Sequence, residues 1–279
     1  MKKFKAPLRI DFAGGWTDIP YLIKETNGYV SNVAIRPLVA YPRGMGLSTS
    51  TSIKLSEMIE LKNKKEYLKS RNLEEIAEDL FNLENRDLNW AIGRQDPYSI
   101  VFGGFNCFKF SQDSAEIVNL KIPNNNIEKL EKRLVLFYSG VSRDAQKIVE
   151  QVYRNFNLEK EKSSRALDKI KECGLKFSQS LERGDLDQCG RIMSANWWAQ
   201  KELANNSSNK ELDEIYDFAF QNGAQGGKLC GAGGGGCFVF YIYDKENLKK
   251  ALEAKFKKGF VMPFSFEFKD IKKLYESLN

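Results

Sequence analysis

The spacing of apolar residues along the chain separates predicted strands from predicted helices. Residues 8–12 alternate between apolar and polar positions until Gly14 interrupts the pattern, which predicts a strand that ends in a turn. Residues 134–138 are continuously apolar, which predicts a strand buried on both faces. Further strands are predicted at 29–35, 98–110, 115–121 and 237–243 and near 260–268.

Helical spacing dominates the middle of the chain. Within residues 143–222, Ile148, Val152 and Phe156 recur every four positions, as expected for one face of a helix. Other helices are predicted at about 53–69, 73–85, 245–257 and 269–278. This mixture predicts an α+β fold with two lobes and a boundary near residues 128–133. The predicted domains are residues 1–130 and 131–279.

Composition places the chain among soluble globular proteins and limits its chemistry. Hydrophobic residues make up 42% and charged residues 29% of the 279 positions, and no run is apolar enough for a membrane helix. The N-terminal residues lack the apolar segment of a secretory signal, so we expect a cytoplasmic protein. The chain contains no histidine, which excludes Ser-His-Asp catalysis and a histidine metal site. A general base must then be Asp, Glu, Lys, Cys or Tyr.

Cysteine usage and net charge further limit the classes of protein that the sequence allows. The five cysteines form no CxxC pair, which argues against a disulfide framework or a zinc site. The formal charge of +6 suits an anionic substrate such as ATP. A basic nucleic-acid-binding protein is the rival interpretation, but the lysines alternate with glutamates along predicted helices, as on a solvated face. We therefore expect neither a nucleic acid nor a membrane as partner.

A loop rich in glycine and hydroxyl residues, at 44–52, is the first candidate for chemistry. Gly44 and Gly46 let a ligand approach the backbone closely, and five hydroxyl residues in a row lead into helical sequence. The start of a helix presents free N–H groups and the positive end of its dipole, and both favour a phosphate. The spacing of its glycine and hydroxyl residues differs from that of a Walker loop, which ends in Gly-Lys-Ser/Thr. The segment predicts a phosphate cradle, with a Ser/Thr-rich surface turn as the alternative.

A second glycine-rich loop occupies residues 226–236. Residues 231–236 match the pattern GxGxxG, but a β-prone segment follows these glycines. A dinucleotide-binding turn instead needs the strand before it and a helix after it. Four successive glycines beside a buried strand favour a backbone nest that contacts a ligand, and a plain linker is the alternative.

Two carboxylates and an N-terminal turn complete the candidates. Asp96 is predicted at a turn between a helix and a strand, where an aspartate is often only a turn former. Glu84 follows Leu80 by four positions, so it falls on the apolar face of its helix, where a carboxylate needs a partner or a cation. Fraying of the helix end is the alternative for Glu84. Residues 16–18 place an aromatic, a hydroxyl and a carboxylate after a glycine turn, which suits a polyhydroxylated ligand.

These segments, in this order, resemble the GHMP kinase superfamily, which includes galactokinase, homoserine kinase, mevalonate kinase and phosphomevalonate kinase. The segments APLRIDFAGGWTD, GRQDPYSIVFGGF, LVLFYSGVSRDA and LDEIYDFAFQNGAQGGKLCGAGGGG look most like bacterial D-glycero-D-manno-heptose 7-phosphate kinases. The GGWTD form is also similar to the kinase part of L-fucokinases. The resemblance implies an N-terminal lobe like ribosomal protein S5 domain 2 and a GHMP C-terminal lobe of the α/β-plait type. It also implies ATP-dependent phosphorylation of a sugar hydroxyl, with the anomeric hydroxyl and the heptose 7-phosphate favoured.

The same resemblance implies roles for individual residues. Asp96 matches the catalytic aspartate, and Arg9 matches the arginine beside it. The residues that would hold ATP are Gly44, Gly46, Leu47, Ser48, Thr49, Ser50, Gly231, Gly233 and Gly234. The residues that would bind Mg²⁺ are Thr49, Ser50 and Glu84. The residues that would contact the substrate are Thr17, Asp18, Arg143 and Gly235.

The chain departs from the family pattern at two places. Ser48 stands where the family commonly has glycine. Only the eight residues 36–43 separate the strand 29–35 from Gly44, where the family has a longer segment that helps to line the adenine pocket. The short segment indicates a minimal variant, a loss of function or a missing piece of sequence. It therefore leaves open a catalytically impaired relative that binds sugar or nucleotide. The other alternative, L-fucokinase or another sugar-1-kinase, comes from the GGWTD form. The expected partners are ATP and a sugar or sugar phosphate, and a homodimer is compatible with the sequence.

Overall fold

Two antiparallel sheets form the framework of this computed structural model, which describes residues 4–24, 26–38, 43–88, 92–142 and 145–278. The strands are β1 Leu8–Ala13, β2 Gly28–Arg36, β3 Phe105–Phe110, β4 Ala115–Ile117, β5 Leu134–Tyr138, β6 Gly226–Leu229, β7 Cys237–Tyr241, β8 Phe260–Val261 and β9 Ser265–Phe266. The helices are α1 Thr49–Leu61, α2 Lys64–Ser70, α3 Leu73–Leu88, α4 Gln95–Phe102, α5 Asn124–Lys132, α6 Ala145–Leu158, α7 Lys160–Arg183, α8 Leu186–Leu203, α9 Lys210–Gln221, α10 Lys245–Lys255 and α11 Ile271–Leu278. The predicted mixed α+β architecture is confirmed.

The first sheet has the strand order β1-β2-β3-β4, and β9 joins it from the C-terminal part of the chain. The central strand β2 pairs with β1 through Leu8 and Ile35, and its end pairs with β9 through Ile35 and Phe266. Helix α11 also packs on this side of the molecule, since Ile271 and Leu274 belong to the core beneath the first sheet. The division into residues 1–130 and 131–279 therefore stays a prediction, because C-terminal elements complete the N-terminal sheet.

The second sheet has the order β6-β7-β5-β8, with every neighbouring pair antiparallel. The long helix α7 links this sheet to the first one. Its Phe177 stacks on Phe12 of β1, with 4.8 Å between ring centroids and an interplanar angle of 8°. The same buried core contains Leu136 of β5 and Val239 of β7. The two sheets thus share apolar packing behind the cleft in which the predicted loops meet.

The structure corrects the predicted strand at 98–110. Residues 95–102 form helix α4, and β3 begins only at Phe105. A short run of buried apolar residues reads alike in a strand and in a helix, and this run is buried almost throughout. Gly103, with φ of +65°, ends the helix. Asp96 therefore lies in the first turn of a helix and not at the predicted turn between a helix and a strand.

Other boundaries also differ from the predictions. Helix α1 begins at Thr49 within the predicted loop, and the predicted helix 53–69 is divided between α1 and α2. The predicted strand near 260–268 consists of β8 and β9, which belong to different sheets. Residues Gly226–Leu229 form strand β6, paired with β7, where a glycine loop was predicted. Glycine at 226 reflects close packing, because a Cβ atom there would lie 2.0 Å from the carbonyl oxygen of Gly190 in α8.

No helix in the described ranges is both long and apolar enough to cross a membrane.

A close contact between α7 and β2 holds the helix against the first sheet. A Cβ atom at Gly174 would lie 1.8 Å from the carbonyl oxygen of Tyr29. The hydroxyl of Ser31 in β2 donates a hydrogen bond of 2.6 Å to the carbonyl oxygen of Gly174. A side chain at position 174 would separate the helix from the strand.

We expect Gly174→Ala to lower the free energy of unfolding by about 1–3 kcal/mol, because overpacking outweighs the higher helix propensity of alanine. Urea denaturation measures the change. Ser164→Ala, a less buried site of the same helix, is the control and should change stability by less than about 0.5 kcal/mol. An unchanged stability of Gly174→Ala would contradict the close approach of α7 to β2.

Candidate active site

A cavity of about 480 Å³ lies where β1, the loop before α1 and the start of α4 meet. The structure brings both predicted glycine loops to this cavity. Its lining includes ten of the residues predicted to act in the site: Arg9, Asp18, Gly44, Gly46, Ser48, Thr49, Ser50, Glu84, Asp96 and Gly231. Residues distant in sequence, from all parts of the chain, therefore form one concave surface.

Arg9 connects three elements at the floor of the cavity. Its Nε and Nη2 atoms lie 2.8 and 2.7 Å from Oδ1 of Asp96, at the start of α4. Its Nη1 donates to the carbonyl oxygen of Gly46 at 2.5 Å. Burial alone would lower the pKa of Arg9, but the neighbouring carboxylates of Asp96 and Asp11 raise it. The guanidinium therefore keeps its charge and fixes the glycine loop relative to Asp96.

The loop before α1 contains three residues with left-handed backbone conformation. Gly44, Gly46 and Ser48 have φ angles of 88°, 77° and 61°. The conformation of Ser48 is one that glycine adopts without strain, since this region costs a residue with a side chain about 1–2 kcal/mol. The Oγ of Ser48 and the Oγ1 of Thr49 are buried and have no hydrogen-bond partner among the described residues. The start of α1 therefore combines buried hydroxyls with N–H groups that lack intrahelical partners.

The second glycine loop braces the first. The N–H of Cys237 donates to the carbonyl oxygen of Met45 at 2.9 Å, and a Cβ atom at Gly236 would lie 2.6 Å from that same oxygen. The N–H of Gly234 donates to the carbonyl oxygen of Ser207 at 2.6 Å. The two loops therefore touch through their backbones, which only glycine allows at this distance.

Some predicted nucleotide or substrate residues lie behind the cavity wall. Leu47 is fully buried, and its carbonyl oxygen accepts a hydrogen bond from the N–H of Arg9 at 3.2 Å. The predicted residues that do not line the cavity are Leu47, Gly233, Gly234, Gly235 and Thr17. Their predicted parts in binding stay predictions.

The turn after β1 places Asp18 in the cavity and Thr17 behind it. The hydroxyl of Thr17 donates to the carbonyl oxygen of Gly14 at 2.7 Å and accepts from the N–H of Tyr29 at 3.1 Å, so it braces the turn. The carboxyl of Asp18 accepts a hydrogen bond of 2.8 Å from the N–H of Gln95. Burial raises the pKa of Asp18 to about 7, although this hydrogen bond opposes the shift.

Glu84 presents a buried carboxyl beside the start of α1. Its pKa is raised to about 8, chiefly by burial, while a hydrogen bond with Thr51 and the charge of Lys54 act in the opposite direction. No group of three or more Cys, Asp or Glu residues that could hold a metal occurs in the described part of the chain. One carboxylate beside the buried Oγ1 of Thr49 suits Mg²⁺, which commonly takes one or two protein carboxylates and completes its shell with phosphates and water. The residues present therefore fit a magnesium ion that arrives with a nucleotide.

Some positions that line the cavity or support it were not predicted, among them Asp11, Lys228 and Gln95. The ammonium of Lys228 lies 2.5 Å from Oδ2 of Asp11, and both side chains are almost completely buried. The period of two in β1 offered a signal, because it places Asp11 on the same face as Arg9. Gln95 also lines the cavity, and no sequence pattern distinguished it from the rest of its motif. Arg143, predicted to contact substrate, lies outside the described residues.

Helix α6 forms a further wall of the cavity. Gln146, Val149, Glu150 and Tyr153 line it at positions that share one helical face. The apolar spacing of this helix was predicted, but its contact with the site was not.

The chain is similar to known sugar kinases. Residues 177–259 match the family described as GHMP kinases C terminal. A D-glycero-alpha-D-manno-heptose 7-phosphate kinase of Campylobacter jejuni is 38% identical over 202 residues, which cover 71% of this chain and 58% of that protein. The bifunctional fucokinase/GDP-fucose pyrophosphorylase of Arabidopsis thaliana is 23% identical, over 89% of this chain and 30% of that protein. The chain thus spans little more than half of the first relative and less than a third of the second.

The fold is also similar to that of a solved structure. A crystal structure of a Campylobacter jejuni protein assigned as a sugar kinase superimposes with a TM-score of 0.70 and 26% identity, over 94% of both chains. The predicted two-lobed kinase fold is thereby confirmed.

We expect Asp18→Asn to change the pH dependence of stability. Because the pKa of Asp18, about 7, lies above its ordinary value of 3.8, the folded state binds a proton more tightly than the unfolded state. This stabilisation is fully present below about pH 4 and is lost as the pH rises through about 7. Relative to wild type, Asp18→Asn should therefore be more stable at pH 8 than at pH 4.5, by roughly 1–4 kcal/mol.

Urea denaturation at the two pH values tests this expectation. Asp113→Asn, at an exposed position, is the control, and its difference from wild type should be the same at both pH values. If the stability of Asp18→Asn differs from that of wild type by the same amount at both pH values, the raised pKa of Asp18 is contradicted.

Proposed function

We propose that this chain, which is similar to GHMP kinases over residues 177–259 and to a heptose kinase along most of its length, transfers the γ-phosphate of ATP to a hydroxyl of a sugar. The observation that carries the proposal is the Arg9–Asp96 pair, which lies in a cavity bounded by both glycine loops. The preferred acceptor is the anomeric hydroxyl of D-glycero-D-manno-heptose 7-phosphate, on the strength of the similar heptose kinase. L-fucose is the second acceptor to consider, because a fucokinase is also similar.

The loop 44–50 is proposed to hold the triphosphate of ATP. Gly44 and Gly46 leave the backbone open to a close ligand, and the start of α1 favours negative charge. The buried hydroxyls of Ser48 and Thr49 would donate to phosphate oxygens, which would give these atoms the partners they lack within the described chain. Gly231 lines the opposite side, where the second loop supports the first.

Glu84, Thr49 and Ser50 are proposed to hold Mg²⁺ with the nucleotide. The ion supplies positive charge that offsets the charge on the β- and γ-phosphates during transfer. Burial keeps the pKa of Glu84 near 8. A cation beside Glu84 would favour the carboxylate form, so that binding at neutral pH would release a proton.

Asp96 is proposed to orient the acceptor hydroxyl and to accept its proton. Both hydrogen bonds from Arg9 reach Oδ1 of Asp96, which leaves Oδ2 for the hydroxyl. The position of Asp96 in the first turn of α4 also favours a negative charge. The proton of the hydroxyl would move to Oδ2 as the oxygen bonds to phosphorus and ADP leaves.

Asp96→Asn should lower kcat about 10²–10⁴-fold, because an amide cannot accept the proton. The KM for ATP should change little, since Asp96 faces the acceptor. ADP release is measured with D-glycero-D-manno-heptose 7-phosphate, L-fucose, D-mannose and D-galactose, and Asp168→Asn on the exposed face of α7 is the control. Full turnover by Asp96→Asn would refute the assigned role.

The same panel tests the rival interpretation of a catalytically impaired binding protein. That interpretation rests on the short segment 36–43, of which residues 39–42 lie outside the described ranges. Binding of ATP or sugar by the wild type, without ADP release from any acceptor, would favour it over a kinase.

Glu84→Gln should raise the Mg²⁺ concentration needed for half-maximal activity by at least about tenfold, because a neutral amide is a weaker ligand for a hard cation. Glu128→Gln, at an exposed position of α5, is the matched control. An unchanged Mg²⁺ requirement in Glu84→Gln would remove Glu84 from the proposed metal site.

A further inference from the structure

Two buried polar atoms beside Asp96 have no hydrogen-bond partner among the described residues. They are Oδ1 of Asp11 and Nε2 of Gln95. Asp11 is 1% exposed, Gln95 is 4% exposed, and both residues line the cavity. Buried polar atoms are nearly always paired in folded proteins, so two such atoms in one cavity wall require an explanation.

The carboxylate of Asp11 is held in place by an ion pair. Oδ2 of Asp11 binds the ammonium of Lys228 at 2.5 Å, and Lys228 also donates to the backbone carbonyl of Asp11 at 3.2 Å. Lys228 thereby fixes the orientation of the carboxylate and leaves Oδ1 without a bond.

Gly15 brings the two side chains together. A Cβ atom at Gly15 would lie 2.8 Å from Oδ2 of Asp11 and 3.4 Å from Oε1 of Gln95. The turn after β1 therefore packs against both side chains at once, which places them on the same part of the wall. Gln95 directly precedes Asp96 at the start of α4.

A carboxylate oxygen and an amide N–H in one part of the wall suit a ligand that carries several hydroxyls. A hydroxyl can donate to the carboxylate, and a second hydroxyl can accept from the amide. Because both protein atoms are buried and otherwise unpaired, a ligand that lacks either hydroxyl would leave one of them unsatisfied. Sites built in this way discriminate strongly against analogues that lack a hydroxyl.

We propose that Asp11 and Gln95 bind two successive hydroxyls of a sugar, the first of which neighbours the accepting hydroxyl, and that Lys228 is the positioning residue for Asp11. The inference rests on the proposed function, since it takes the accepting hydroxyl to lie at Asp96. For transfer to the anomeric hydroxyl, the two groups are those on carbons 2 and 3. Such a site would make the kinase selective for sugars that carry both of these hydroxyls.

The test measures binding and turnover separately. Calorimetry gives the Kd, and ADP release gives kcat/KM, for D-glycero-D-manno-heptose 7-phosphate and its 2-deoxy and 3-deoxy analogues, with L-fucose and 2-deoxy-L-fucose as a second set. The wild type should bind each deoxy analogue about 10–100-fold more weakly than its parent sugar. Gln95→Met should weaken binding of the parent to a similar extent and should no longer discriminate against one of the deoxy analogues.

Asp11 is tested together with its partner. Asp11→Leu alone would strand the buried ammonium of Lys228, so the double variant Asp11→Leu, Lys228→Met removes both charges and the acceptor oxygen at once. It should lose discrimination at the other hydroxyl. Lys228→Met alone should reduce the same discrimination, because the carboxylate loses its fixed orientation. A purely structural role would lower the midpoint of unfolding and leave the ratio between parent and deoxy sugar unchanged.

Ser99→Ala is the matched control. Ser99 lies on α4, and its buried hydroxyl also has no partner among the described residues, but it does not line the cavity. Its substitution should leave the preference for the parent sugar unchanged.

The outcomes separate this inference from the kinase proposal. If Gln95→Met and the double variant lose discrimination in the binding assay, while the wild type releases no ADP, the hydroxyl site is supported and the kinase is refuted. If the wild type releases ADP, but Gln95→Met and the double variant discriminate between parent and deoxy sugars as the wild type does, the kinase is supported and the hydroxyl site is overturned. Failure of the wild type to bind any of these sugars would overturn the hydroxyl site as well.

Discussion

The buried guanidinium of Arg9 is the interaction on which the arrangement of the cavity depends. It binds Oδ1 of Asp96 through two nitrogens and the carbonyl oxygen of Gly46 through a third. A charge with almost no exposure to water is stable only when it is paired in this way. The pairing fixes the distance between the proposed phosphate loop and the proposed acceptor carboxylate. Positioning of this kind supplies most of the catalysis in phosphoryl transfer.

The need to pair a buried charge also applies to the other charged groups of the cavity. Lys228 neutralises Asp11 through a second buried ion pair, so each cation has its own carboxylate. Burial raises the pKa values of Asp18 and Glu84 to about 7 and about 8, although the charge of Lys54 acts against the shift at Glu84. Carboxyls with pKa values near neutral pH are typical of functional sites, where a ligand changes their charge. The cavity thus holds two fixed charge pairs and two carboxyls that can respond to a nucleotide, a cation or a sugar.

The sequence predicted those parts of the fold that depend on local pattern. Strands β1, β2, β5 and β7 were predicted because alternation or continuous apolar character marks them directly. Helix α4 was not, because a short buried run has no period that separates a helix from a strand. The contact between Lys228 and Asp11 joins residues 217 positions apart, and no local pattern encodes it. The left-handed conformation of Ser48 was likewise not predicted, because no local pattern marks a serine for a positive φ angle.

The convergence of the two glycine loops was implied by resemblance and has a physical cause in the structure. The N–H of Cys237 binds the carbonyl oxygen of Met45, so the strand that follows one loop holds the other. The most direct test of the account is a crystal structure of the protein with Mg²⁺ and a non-hydrolysable ATP analogue. We expect the triphosphate to lie against residues 44–50 and the start of α1, with its γ-phosphate facing Asp96. A triphosphate bound away from these residues, or an Arg9–Asp96 pair broken by the nucleotide, would contradict it.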